Sequence, residues 1–120
     1  MADTGMTLAE YLPLFVYGTL LERPVRDAVL GQSVLRAERS AARGRWEKTA
    51  SYPAVSFRDP VSDISGELVW LIPERFEISL QRANQYEGAP RLYRRVRIRA
   101  RAGEKEVWAY AYEWVRSARA

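Results

Sequence analysis

From Tyr93 to Arg101 the chain alternates with a period of two. Arg95, Arg97, Arg99 and Arg101 fall on one parity, and Val96, Ile98 and Ala100 on the other. Only an extended strand sends successive side chains to opposite faces, so this stretch is a strand with one apolar and one charged face. Gly103 turns it. Val107 to Val115 follows with Trp108, Tyr110, Tyr112 and Trp114 on a single parity, and β propensity favours such aromatics. A chain that closes on a hairpin of this kind must supply further strands to cover its apolar face.

Those strands can be read upstream. Leu14-Phe15-Val16-Tyr17 is apolar without alternation, the pattern of a short strand buried on both faces, and it runs into Gly18-Thr19-Leu20-Leu21. A glycine there allows a tight turn and a close approach to the backbone. Arg23-Pro24 through Leu30-Gly31 places Pro at the first turn and Gly just past the end of a short helix, the usual asymmetry of helix termini. Gly44 and Trp46 lie near a further strand within 33–50. Tyr52 to Phe57 starts at Pro53 and then alternates, as an edge strand would, before the turn signal Asp59-Pro60. Ile64 to Ile72 is strongly strand-like, and its Gly66 suggests a bulge or a tight bend at a barrel corner. Pro73 ends it and opens a helix over Glu74 to Tyr86, with Phe76, Leu80 and Ala83 at helical spacing and Gly88 at a left-handed end.

The order is β-α-β-β-β-α-β-β. It reads as α+β, with strands too many and too short for a doubly wound sheet, and it predicts a small mixed β-barrel with two outer helices. Residues 1–13 are expected to be a flexible lead-in and 14–116 the domain.

Two absences narrow the chemistry. The 120 residues contain no cysteine and no histidine. Disulfides, thiolate nucleophiles, the usual zinc sites and histidine-based triads are therefore excluded, and any proton-transfer group must be Glu, Asp, Lys or Tyr. No metal site and no cofactor is expected. The N-terminal stretch lacks the basic start and apolar run of a signal peptide, and no apolar run reaches membrane-spanning length. A cytoplasmic protein with no membrane partner is the expectation. The formal charge of +4 comes almost wholly from arginine, Lys48 and Lys105 being the only lysines.

The arginine strand could bind a phosphate backbone with its neighbouring aromatics stacking bases. A solvated outer strand face requires the same alternation, and Glu104 and Glu106 would neutralise part of it. The second reading is preferred, so no nucleic-acid partner is expected. The Gly18 turn likewise has two readings, an ordinary loop after a core strand or a cradle of backbone N–H groups for a carboxylate or phosphate. Glu67, inside a strand, is accounted for by pairing with arginine or backbone. Glu87 sits between an aromatic and a glycine at a helix end, where it is either a surface cap or a side chain aimed into a cavity.

Five short motifs occur in one order: Tyr17-Gly18-Thr19-Leu20, Tyr52-Pro53-Ala54, Ser65-Gly66-Glu67-Leu68, Tyr86-Glu87-Gly88 and Tyr93-Arg94-Arg95. Together they resemble the gamma-glutamylcyclotransferase-like family, from about Leu14 to Trp114. The resemblance implies a mixed barrel with a cavity at its mouth. It also implies a turn, Tyr17, Gly18, Thr19 and Leu20, that binds the glutamyl end of a substrate, with Tyr93 a further substrate contact and Glu87 the proton-transfer residue. The expected partner is a small γ-glutamyl compound, converted without a cofactor to 5-oxoproline and a free amine. A non-catalytic metabolite-binding module on the same fold is the alternative. The sequence departs from the family in two places. Ala83-Asn84 stands where Leu-Asp is common, and Arg23-Pro24-Val25-Arg26 replaces a Gly-x-x-Asn.

Overall fold

A computed structural model describes residues 11–47, 54–89 and 92–115. The expected lead-in, apart from its last three residues, and Tyr52-Pro53 lie outside the described residues. The order of elements is β1 (Leu14–Val16), α1 (Arg23–Leu30), β2 (Val34–Glu47), β3 (Ala54–Ser56), β4 (Ser62–Leu71), α2 (Phe76–Glu87), β5 (Tyr93–Ala102) and β6 (Lys105–Trp114). This is the order read from the sequence. The strands run β3-β2-β4-β1-β6-β5 across the sheet, and β2 also pairs with β5. That extra pairing, Ala41 and Ala42 against Arg101 and Ala100, closes β2, β4, β1, β6 and β5 into a five-stranded barrel with β3 appended to β2. Neighbours are antiparallel except β1 and β6, which meet in parallel at Leu14 and Tyr110.

The buried residues fall into two layers because β1 and β4 are covered on both faces. Phe15, Val55, Ile64 and Leu68 fill the barrel with Ala42, Ala100, Ala109 and Ala111. Leu14, Val16, Val69 and Leu71 face outward, under Leu30 of α1 and Phe76, Leu80 and Ala83 of α2. Every residue of β1 is buried, which is why that strand shows no alternation.

On β6 it is the alanine parity that points into the barrel, where Phe15, Ile64 and Leu68 already take most of the narrow lumen and leave room for small side chains. The aromatic parity therefore lies outside. Tyr112 is buried in the helix-facing layer, whereas Trp108 remains 49% exposed. The four alternating arginines of β5, Arg95, Arg97, Arg99 and Arg101, are exposed, as their alternation implied, and Arg99 lies over the Trp108 ring and bonds Glu106 at 2.9 Å.

Three details differ from expectation. β2 is a strand of 14 residues, much longer than the Gly44–Trp46 neighbourhood suggested. It pairs with β4, β5 and β3, and only Ala42 and Gly44 along it are buried, so no clear apolar alternation develops. The ladder irregularity lies between Val34 and Arg36, not at Gly66. Gly66 is required by contact instead: a Cβ there would stand 2.3 Å from the Val16 carbonyl oxygen and 2.9 Å from the Phe15 ring. The second helix begins at Phe76, after a 3-10 turn over Pro73–Arg75.

Candidate active site

The end of α2 sets the first wall of the site. Gly88 takes a left-handed conformation at φ 71°. Its N–H bonds the Gln85 carbonyl at 3.2 Å, and the Ala89 N–H bonds that of Asn84 at 2.9 Å. This closure ends the helix at Glu87 and fixes where that carboxylate emerges. Asn84 anchors the same turn laterally, its Oδ1 accepting from the Tyr112 hydroxyl and, at 3.4 Å, from Arg95 Nη1. The amide thus ties α2 to both strands of the terminal hairpin, a task for which an acceptor oxygen suffices.

The second wall is the turn after β1. Leu21 N–H bonds the Gly18 carbonyl at 2.9 Å within a 3-10 turn over Thr19–Leu21. Arg26 of α1 holds the turn from behind. Its Nε donates to the Leu20 carbonyl at 3.0 Å and its Nη2 to Glu67 Oε1 at 2.6 Å. Arg26, in the region where the family's Gly-x-x-Asn is missing, is therefore a brace, and Glu67 is its counter-ion. Gly18 itself is not among the glycines with positive φ, so the turn does not need glycine for conformational freedom. A Cβ on Gly18 would meet nothing within 4 Å. What the missing side chain leaves is open space on the cavity side.

Between these walls lies a cavity of about 560 Å³. Tyr17, Gly18, Leu20, Glu87 and Tyr93 all line it. Five of the six residues singled out in the sequence are thus brought together, although Gly18 and Glu87 are some seventy positions apart. Thr19 stands in the 3-10 turn beside them. Tyr17 is half-buried, and its hydroxyl donates to the Tyr112 carbonyl. Burial raises the Tyr17 phenol strongly, with Tyr93, Glu87 and Glu113 adding to it, and pushes Tyr112 up to about 12. Both are therefore neutral hydrogen-bonding groups at neutral pH. Burial also raises Glu87, from an ordinary 4.5 to about 7. A carboxyl near 7 divides its time between acid and base, which is the property a proton shuttle needs.

Sequence reasoning missed several residues of this region. Trp46, at the end of β2, packs edge-on against Tyr17 with ring centroids 6.1 Å apart and forms part of the cavity rim. Glu22 and Leu92 also line it. Glu113 is buried at 3% exposure on the alanine parity of β6. Its carboxylate accepts from Phe57 N–H at 2.7 Å and from Arg94 Nη2 at 3.1 Å, which ties β3 to the terminal hairpin. The signal for it was available: a lone carboxylate at an inward position opposite Arg94 cannot be left unpaired. A larger and more open groove of about 720 Å³ lies on the β5 side, lined by several arginines. Its carboxylates, Glu106 and Glu113, are both engaged by arginine, so it offers no free base. Among the described residues no cluster of three acidic or other ligating side chains could hold a metal, and no helix is long and apolar enough to cross a membrane.

Residues 14–120 match the family described as gamma-glutamyl cyclotransferase, AIG2-like. The chain belongs to that family. No curated protein matches the sequence significantly. Among solved structures, an Arabidopsis thaliana protein is similar with a TM-score of 0.70 at 21% identity, over 90% of this chain and 66% of its own. Bacillus subtilis YkqA superposes with a TM-score of 0.67 at 24% identity, over 86% of this chain and 35% of its own. An AIG2-like protein of Mus musculus gives 0.68 at 20% identity, over 90% and 80%. The chain thus spans just under two thirds of the first of these proteins and about a third of the second. At these identities the structural likeness establishes the cyclotransferase-like fold.

Proposed function

We infer that this member of the family is a cofactor-free cyclotransferase that converts a γ-glutamyl amide to 5-oxoproline and a free amine, with Glu87 as general base and then general acid. The observation that carries the reading is the meeting of Glu87, raised toward 7 by burial, with the Gly18 turn across one cavity. The reaction needs no nucleophile from the protein, which suits a chain without cysteine or histidine.

In this mechanism the turn at Tyr17 to Leu20 receives the α-carboxylate through its backbone N–H groups, while Tyr93 and Tyr112 bound the folded-back glutamyl chain. Glu87 takes a proton from the α-ammonium. The freed amine attacks the γ-carbonyl carbon and the new C–N bond closes the five-membered ring. The old C–N bond breaks as Glu87 returns the proton to the leaving nitrogen. The ring nitrogen then gives its surplus proton to Glu87, which passes it to the departing amine, so that two protons in all leave the ammonium nitrogen, the amine departs as an ammonium ion and Glu87 ends as it began. Confining the substrate to a near-attack geometry can supply up to about 7–11 kcal/mol of the barrier, and the positioned carboxylate about 10²–10⁴-fold in rate.

The test is direct incubation with γ-glutamyl amides and measurement of 5-oxoproline. Release that disappears in Glu87→Gln supports the assignment. Binding of the amides without any release would instead make the chain a metabolite-binding module on the same fold.

A further inference from the structure

The rim of the cavity differs in character from its floor. Glu87 and Gly18, which would handle the glutamyl end, lie with the tyrosines Tyr17, Tyr93 and Tyr112. Trp46, Tyr86 and Leu92 line the same cavity yet stay 48%, 43% and 53% exposed. Three large apolar side chains left this open, from three separate elements around one mouth, form an apolar patch of the kind that marks a ligand surface. The barrel does not require it, since both core layers are already filled by other residues. Trp46 packs edge-on against Tyr17, its ring set at 83° to the tyrosine ring, an arrangement that aromatic pairs favour.

A substrate seated with its glutamyl end against Gly18 and its γ-carbonyl near Glu87 must send its amine substituent outward past this rim. We propose that the leaving amine carries a bulky apolar or aromatic body, which stacks on Trp46 and lies against Tyr86 and Leu92. The proposal rests on the cyclotransferase reading for the orientation of the substrate, and it adds the part of the substrate that selects it.

The experiment compares γ-glutamyl phenethylamide with γ-glutamyl methylamide, which share the reacting groups and differ only in the body of the amine. Binding to the Glu87→Gln chain is measured by calorimetry, and 5-oxoproline release by the native chain is measured in parallel. The phenethylamide should bind at least about tenfold more tightly, the scale of one buried aromatic contact. That ratio should fall to about threefold or less when Trp46→Ala is added and be kept by Trp46→Phe, which also guards against a folding defect. Equal binding of the two amides, or a ratio indifferent to Trp46→Ala, overturns the proposal even if 5-oxoproline is released from both. A preserved ratio without any 5-oxoproline supports the rim as the selecting surface while refuting the cyclotransferase reading. Failure of both amides to bind refutes both readings.

Discussion

Replacing Glu87 by Gln should stabilise the protein at alkaline pH and leave it unchanged in acid. Burial holds the Glu87 carboxyl near 7 against an ordinary 4.5. Between these values the folded chain keeps a proton that the unfolded chain has already released. Stability therefore falls as pH rises through that window, and the loss is complete above about 7. At 1.36 kcal/mol per pH unit, and reduced for a side chain bordering an open cavity, the loss amounts to about 1–3 kcal/mol. Glutamine keeps the shape and does not titrate. Urea unfolding of both chains at pH 4 and pH 8 reads the difference directly. The variant should match the native chain at pH 4 and exceed it by about 1–3 kcal/mol at pH 8. A variant no more stable at pH 8, or a gap that persists at pH 4, would show that Glu87 is not held in a desolvating site.

Gly18→Val should leave the unfolding midpoint within a few tenths of a molar urea, because the space beyond Gly18 is open. It should nonetheless abolish binding of a γ-glutamyl amide by calorimetry, and retained affinity would remove the turn from the site. Glu113→Ala should lower the unfolding free energy by about 2–4 kcal/mol, since it strips the Phe57 N–H and Arg94 of a buried acceptor. A loss below about 1 kcal/mol would mean that the carboxylate does not hold β3 to the hairpin.

The sequence exposed the elements whose environment is uniform along their length. β5 keeps one face outward, so Arg95, Arg97, Arg99 and Arg101 alternate with Val96, Ile98 and Ala100, and β1 is buried on both faces, so it does not alternate at all. The helix ends were marked by Gly31 and Gly88, both of which adopt positive φ. β2 was only partly legible because three different neighbours cover it in turn. The parity of β6 was also ambiguous. Alternation divides aromatic from small residues, but only the width of the closed barrel decides that Ala109 and Ala111 go in.

The site was legible to the extent that local motifs carry it. Glu87 and the Gly18 turn stood out, but the reason for Gly18 did not, because a glycine that borders open space looks in sequence like one that relieves a turn. Arg26 and Glu67 pair between α1 and β4, and Glu113 meets the Phe57 N–H beyond β3, contacts between distant segments that no local pattern encodes. Trp46 is brought to the rim by the far end of β2, and nothing in its own neighbourhood announces that. Asn84 shows the converse. At this departure from the family pattern, the acceptor oxygen is shared between Tyr112 and Arg95.

The most direct measurement is the rate of 5-oxoproline release from a panel of γ-glutamyl amides, followed from pH 5 to pH 9 in the native chain and in Glu87→Gln. Release should rise with pH to a half-maximum near 7, where burial places the Glu87 carboxyl, and fall by about 10²–10⁴-fold in the variant. Absence of 5-oxoproline from every amide, or a variant that turns over at the native rate, would contradict the assignment of Glu87 as the base of a cyclotransferase.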